Sequence, residues 1–287
     1  MVVTALEKAS ILVEALPYIK EFYGKTVVIK YGGSAMIDPK LKKAVIEDIV
    51  LMRYVGMNPI VVHGGGPDIT RMLSRLNLES RFIDGYRVTS SEAMEVVEMV
   101  LVGKVNKEIV NCITSMGGRA VGLSGSDDHL IVAAPMPGRD DLGYVGEVAA
   151  INSDIVNTVV ARGYIPVISP VGLDINGQSY NINADLVAAA VATALNADKM
   201  VLLTDVPGLL ADPHDVDSLI PTLRVSEVPG LIEQGVIAGG MLPKVECCLR
   251  AVKGGVKRTH IIDGRVLHSI LLEIFTREGV GTMVVDQ

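Results

Sequence analysis

The sequence predicts an α/β fold, a three-layer αβα sandwich in which helices cover both faces of a mainly parallel central sheet. Two observations carry that expectation. Short apolar runs without polar alternation, such as Thr26-Val27-Val28-Ile29 and Pro59–Val62, read as strands buried on both faces. Such runs then alternate with stretches of helical periodicity along most of the chain, the rhythm of parallel strands joined by crossover helices.

The elements follow in order. Ala5, Ala9, Leu12, Leu16, Ile19 and Tyr23 recur at helical spacing, so residues 1–23 form an opening helix, and Pro17 predicts a kink near Leu16. After the first strand come the Gly32-Gly33 turn and a helix from Pro39 to Gly56. The second strand meets the turn His63-Gly64-Gly65-Gly66 and a helix from Pro67. A long helical stretch spans Ser91–Met116. Further strands are expected at Ala120–Leu123, Leu130–Ala133, Tyr144–Ala149, Ile165–Ser169, Met200–Leu203 and His260–Ile262. Helices are expected at Asp154–Arg162, Ala184–Leu195, Val225–Glu233, Leu242–Val252 and His268–Phe275. Segments 135–146 and 204–224, rich in Gly, Pro and Asp, read as hairpins or lids. A lobe boundary near residues 170–182 divides the chain into residues 24–180 and 181–287.

Composition narrows the function. The 287 residues carry a net charge of −7, which argues against nucleic acid or an anionic membrane as partner. Cys112, Cys247 and Cys248 form no CxxC pair and read as inert thiols of a reducing cytosol. No run reaches the roughly 18 apolar residues of a membrane helix. The amino terminus has no signal-peptide pattern, so a cytoplasmic protein is expected, with a separately removed leader left open.

Two glycine turns at carboxyl-terminal strand ends point to anion chemistry. In a parallel sheet those ends open onto the ligand crevice, and glycines there let backbone N–H groups close on phosphate or carboxylate oxygens. Two tight strand-to-helix turns would look the same. The common nucleotide fingerprints are missing. A P-loop reading of Gly24-Lys25-Thr26 would need glycine where Ile19 stands, and neither GxGxxG nor the protein-kinase loops occur. Lys30 ends an otherwise apolar strand, either snorkelling to the surface or aimed into the crevice. Asn183 suits a helix N-cap and Asp185 the first helical turn. Arg87 suits a surface salt bridge as well as a forked grip on a carboxylate. His63 reads as a turn or core histidine, and no His/Asp/Glu cluster suggests a dedicated metal site.

Six motifs, in order, resemble acetylglutamate kinases of the amino-acid kinase family: Lys30-Tyr31-Gly32-Gly33, His63–Gly66, Gly85-Tyr86-Arg87-Val88-Thr89, Asn181–Asp185, Leu203-Thr204-Asp205-Val206 and Gly239-Gly240-Met241-Leu242-Pro243-Lys244. The likeness runs from about Leu12 to Thr282. It implies the amino-acid kinase fold and transfer of phosphate from ATP to the γ-carboxylate of N-acetyl-L-glutamate, the second step of arginine biosynthesis. By the same likeness, Lys30, Lys244 and Asp185 are catalytic, the two lysines flanking the transferring phosphoryl group and Asp185 orienting both. Gly65, Gly66, Arg87 and Asn181 bind acetylglutamate. Gly32, Gly33, Asp205 and Lys244 bind the nucleotide, whose Mg²⁺ is held mainly by phosphates and water. Residues 24–180 become the acetylglutamate-binding lobe and 181–287 the nucleotide-binding lobe. His268-Ser269-Ile270-Leu271-Leu272-Glu273 with Gly279-Val280-Gly281-Thr282 resembles the carboxyl-terminal signature of arginine-inhibited members. It implies an inhibitory arginine site at His268, Glu273 and Gly279, and a hexamer, a trimer of dimers, joined through the opening helix. Arg87 with Asn181 disfavours kinases of aspartate, glutamate, carbamate or nucleotides.

Overall fold

The computed structural model describes residues 4–276 and 279–287, so the first three residues of the opening segment lie outside the described residues. In chain order the strands are β1 (Thr26–Tyr31), β2 (Asn58–His63), β3 (Phe82–Ile83), β4 (Tyr86–Arg87), β5 (Ala120–Leu123), β6 (Ile131–Pro135), β7 (Val145–Ile151), β8 (Ile165–Ile168), β9 (Val171–Leu173), β10 (Ser179–Ile182), β11 (Lys199–Thr204), β12 (Thr222–Arg224), β13 (Arg258–Asp263) and β14 (Thr282–Val285). The helices are α1 (Ala5–Phe22), α2 (Ser34–Ile37), α3 (Pro39–Tyr54), α4 (Gly66–Arg75), α5 (Ser91–Glu98), α6 (Asn106–Ser115), α7 (Asp154–Ala161), α8 (Ala184–Ala194), α9 (Val228–Glu233), α10 (Leu242–Lys253) and α11 (Ser269–Phe275).

One eight-stranded sheet, ordered β12-β14-β13-β11-β1-β2-β8-β5, runs through the molecule. From β5 to β13 the strands are parallel; β14 reverses beside β13, and β12 follows β14. The predicted sheet is therefore mainly parallel, with an antiparallel margin. Period-two alternation divides its side chains between two cores. Val27, Ile29, Tyr31, Val61, Val201 and Leu203 pack with α3, α5 and α6, while Val28, Ile60, Val62, Met200 and Leu202 pack with α8 and α10. Each such fully buried side chain contributes about 1.5–3 kcal/mol. Lys30, two residues after Val28, falls by the same alternation on the α8 side.

Four strands, two of them predicted, close a small barrel in the order β10-β7-β6-β9. The sequence reading finds β6 and β7 but neither β9 nor β10, and it also lacks β12 and the β3–β4 hairpin. These pieces have only two to four residues, too short to show a period. Segment 204–224, read as a hairpin or lid, folds back on itself, with Leu210 bridged antiparallel to Leu219. Residue 181, at the expected lobe boundary, lies inside β10.

Helix ends follow their caps. Asp38 accepts from the N–H groups of Lys40 and Leu41 ahead of α3, with Pro39 in the first turn, and Asn183 caps α8 through the Asp185 N–H at 2.7 Å. Thr4 and Glu7 form a capping box on α1, and Pro17 sits inside that single helix. α1 leaves Leu6, Ile11, Leu12, Val13 and Leu16 exposed and touches the body through Tyr18, edge-on to Phe275 at 6.4 Å, and through buried Phe22. The long stretch predicted from Ser91 is helical, but Met99–Val105 between α5 and α6 is π-helix. Among the described residues no helix is long and apolar enough to cross a membrane.

Candidate active site

The carboxyl-terminal ends of β1 and β2 lie side by side, Tyr31 in register with His63, so the two glycine turns face one cleft. That cleft, ≈ 280 Å³, is lined by Lys30, Gly32, Gly33, Gly64, Gly65, Gly66, Arg87, Asn181 and Asp185, just below the roughly 300–1,000 Å³ of typical small-ligand pockets. Eight residues assigned from the sequence, from four separate stretches of chain, thus share one space. α4 begins at Gly66 and α8 at Ala184 on its walls, adding two positive helix ends.

Lys30 reaches across to α8, its Nζ lying 2.9 Å from Oδ1 of Asp185. That oxygen has no aligned hydrogen-bond donor, so the contact is Coulombic, between groups both largely withdrawn from water. Gly32 is small for a local reason: a Cβ there would stand 2.9 Å from the Lys30 ammonium. Gly33 has φ 65°, where glycine is favoured, and a Cβ would meet the Asp205 carboxylate at 2.7 Å.

Asp205 accepts the Ser34 N–H at 2.8 Å. The structure thus gives it a protein partner, tying the end of β11 to the turn after β1, where the sequence left a turn aspartate and a nucleotide contact both open. Lys244 lies in the first turn of α10. Its Nζ donates to the Gly240 carbonyl at 3.1 Å on the surface and makes no ion pair with Asp185. It remains nearby, because α10 packs on α8 and the Cys247 thiol, one turn on, donates to the Asp185 carbonyl at 2.8 Å.

Arg87 is 6 % exposed. Its Nη1 donates to Ser80 Oγ at 2.5 Å, and its Nη2 to Gly66 O at 3.0 Å and Thr70 Oγ1 at 2.8 Å; the guanidinium carbon stands 4.6 Å from the Phe82 ring centroid. All three acceptors are neutral. Burial lowers the guanidinium pKa from its usual value, yet arginine stays charged, so a buried cation lines the cleft with no carboxylate partner among the described residues. Three of its five N–H donors are engaged, leaving two. Asn181 donates to Thr89 Oγ1 at 3.3 Å on the same wall. Ser80, Thr70 and Phe82, which hold Arg87, carry no sequence signal of their own.

The carboxyl-terminal residues lie apart from this cleft. Glu273 is buried, bonded through Oε1 to His260 Nδ1 at 2.6 Å and through Oε2 to the Val280 N–H at 2.8 Å. Burial works against its charge, but these two hydrogen bonds hold its carboxyl below the usual range. Gly279, at φ 63°, passes close enough that a Cβ would lie 2.9 Å from Oε2. His268, left-handed at the start of α11, contacts Asp48 Oδ1 through Nδ1 at 2.6 Å. Glu273 and Gly279 therefore meet, while His268 turns toward α3.

Among the described residues no three His, Cys, Asp or Glu side chains gather to hold a metal ion. Asp185 pairs with Lys30, Asp205 with the Ser34 N–H, and Asp68 with Lys104 at 2.6 Å. Such a cleft suits Mg²⁺ arriving on nucleotide phosphates and water, not in a carboxylate cage.

A parallel sheet with a glycine-lined cleft at its strand ends, and a lysine paired with an aspartate inside it, fits a small-molecule phosphotransferase. The chain belongs to the amino acid kinase family, whose sequence profile matches residues 25–263. It is 63% identical over 287 residues to an acetylglutamate kinase of Syntrophomonas wolfei subsp. wolfei, covering all of both chains. It is 63% identical to the acetylglutamate kinase of Moorella thermoacetica, covering 99% of each. Relatives at this level make it a kinase of the acetylglutamate kinase group. Among solved structures it is similar to N-acetylglutamate synthase from Neisseria gonorrhoeae, complexed with coenzyme A and N-acetyl-glutamate, with a TM-score of 0.85 and 25% identity over 97% of this chain; the chain spans 63% of that protein. Carbamate kinase from Giardia lamblia bound to AMP-PNP shares the fold alone, with a TM-score of 0.67 at 18% identity over 92% of this chain and 99% of that one.

Proposed function

We propose that the chain transfers the γ-phosphoryl group of ATP to the γ-carboxylate of N-acetyl-L-glutamate, giving N-acetyl-L-glutamyl 5-phosphate in arginine biosynthesis. The observation that carries this reading is buried Arg87, a cation with two free N–H groups in the cleft that also holds Lys30 and the glycine turns. An acceptor with two carboxylates meets both needs, one for Arg87 and one for the turns. Asn181 lines the wall between them.

The acceptor carboxylate, with a pKa of about 4, is already ionised near neutral pH, so no general base is required. The work of the protein is alignment and charge stabilisation. Backbone N–H groups of Gly33, Gly65 and Gly66 orient the phosphoryl and carboxylate oxygens. Lys30 stabilises charge on the transferring group, and Asp185 holds the ammonium in place. Lys244 serves from the nucleotide side, its ammonium held only by one surface carbonyl in the free protein. Residues 24–180 bind acetylglutamate and 181–287 the nucleotide, with Gly32 and Asp205 shaping the phosphate end. Mg²⁺ bound with the nucleotide supplies charge neutralisation of its phosphates.

Arginine inhibition is the reading for His268, Glu273 and Gly279, supported by an ionised carboxylate beside a loop that only glycine fits. The exposed apolar side chains of α1 support assembly through that helix, as a hexamer of three dimers, in the cytoplasm. ADP release with N-acetylglutamate, glutamate and aspartate, with and without arginine, tests the activity. Equal rates with glutamate and its acetylated form would overturn the substrate. Deleting residues 1–23 should shrink the assembly in light scattering; unchanged mass would overturn the role of α1.

A further inference from the structure

We infer that His63 and Asn106 are positioning residues for phosphoryl transfer, aiming the Gly64–Gly65 peptide so that its N–H points into the cleft. This deepens the proposed kinase reading and rests on it.

Both side chains are buried beneath the second glycine turn. The Asn106 Nδ2 group lies 2.8 Å from Val167 O and 3.4 Å from Leu123 O. Val167 O takes one of the two N–H hydrogens, so the NH₂ end of the amide faces that carbonyl. The other hydrogen faces His63 Nε2 at 3.3 Å, and because an amide NH₂ accepts nothing, Nε2 is the acceptor. The ring proton therefore sits on Nδ1, and Nδ1 donates to Gly64 O at 2.8 Å. Burial supports the neutral ring, pushing the pKa of His63 down to about 4.

A trans peptide holds its C=O and the following N–H in opposite directions. Pinning Gly64 O inward onto His63 therefore turns the Gly65 N–H outward. Neither Gly65 nor Gly66 donates its N–H to a backbone acceptor in the described turns and loops, so both remain for a ligand.

The π-helical segment explains how Asn106 reaches this place. Its N–H donates to Leu101 O, five residues back. An i→i+5 turn is wider than an α-helical one, so Asn106 lies nearer the face of Leu101 than the about 140° offset that 3.6 residues per turn would give. Leu101 and Val105 then press on Gly65, whose hypothetical Cβ would lie 2.5 Å from Leu101 Cδ2 and 3.5 Å from Val105 Cγ2. Asn106 meets His63 from the same segment. The wide turn thus backs the glycine turn with two apolar side chains and one amide.

Nitrogen NMR of the uniformly labelled full-length chain tests the arrangement without any substitution. The expected result is a neutral, Nδ1-protonated His63 that does not titrate in the usual histidine range; an Nε2–H tautomer or an ordinary titration overturns the inference. Steady-state kinetics of His63→Gln and Asn106→Asp test the consequence. Misaiming one N–H should lower kcat per folded molecule about 10- to 100-fold, with KM for both substrates within ~3-fold of the parent. A purely structural role would lower the folded fraction and leave kcat per folded molecule unchanged, and that outcome overturns the inference. Parent turnover with N-acetylglutamate in the same assay separates the two readings: its absence defeats the proposed function, while the NMR result still decides the placement of His63.

Discussion

The Lys30 ammonium lies 2.9 Å from Oδ1 of Asp185, a pairing set by strand alternation on β1 and by the cap of Asn183 on α8. If this ammonium stabilises the migrating phosphoryl group, Lys30→Ala should lower kcat about 10²- to 10³-fold, the scale of losing one preorganised donor. Asp185→Asn should lower it less and leave the fold intact. ADP production at saturating substrates measures both, and turnover near the parent's in Lys30→Ala would remove the lysine from the mechanism.

Arg87 should act on binding. Arg87→Lys retains charge but loses the planar fork, so KM for N-acetylglutamate should rise about 10- to 100-fold with a smaller change in kcat. Because the cation is buried beside neutral acceptors, N-acetylglutamate should also raise the melting temperature of the parent more than that of the variant. Equal thermal shifts in the two proteins would contradict the assignment.

Gly65 is held to glycine by Leu101. Gly65→Ala places a methyl group 2.5 Å from Leu101 Cδ2, an overpacking worth about 1–3 kcal/mol. Leu101→Ala opens that space, so adding Gly65→Ala to a Leu101→Ala background should cost less than adding it to the parent. A double-mutant cycle in denaturant reads the coupling; strict additivity would mean the two residues do not meet.

The long apolar strands and both glycine turns were legible because burial on two faces, the positive φ of Gly33 and the close approach of Leu101 to Gly65 leave marks in one stretch of sequence. Lys30 was visible for the same reason, at the end of an obvious strand, whereas Asp185 read as an ordinary first-turn carboxylate until the family likeness set it beside the lysine. The barrel strands β9 and β10 were not: Val171–Leu173 is three residues long around a glycine, Ser179–Ile182 is four and partly polar, and only closure against β6 and β7 makes them strands. Asp205 shows a second limit. A carboxylate after a strand suits a ligand or a turn, and its partner, the Ser34 N–H, comes from a turn 171 residues away. Nothing around Ser91–Met116 announced a π-helical turn, since its hydrogen bonds differ by one residue and its apolar pattern remains helical.

Asp48 gives a pH dependence with a definite sign. Fully buried, it has a pKa lifted by burial to about 6, opposed by the His268 hydrogen bond. The folded state holds the proton more tightly than the unfolded chain, so this residue's stabilising contribution is complete below pH about 4 and is lost as pH rises through about 6. Asp48→Asn removes the cost of the buried charge and should gain on the order of 1–3 kcal/mol at pH about 8, a gain that vanishes as pH falls below about 4. Urea unfolding at several pH values measures it; a gain that grows toward acid would reverse the argument.

The thiols on α10 have a practical consequence. Cys247 and Cys248 are fully covered, and burial raises both pKa values, that of Cys248 to about 12. Neither offers a thiolate to an alkylating reagent while α10 remains docked on α8. Modification of these adjacent sulfurs therefore times the opening of the wall behind Asp185, and occupancy of the cleft that slows opening should slow labelling in step.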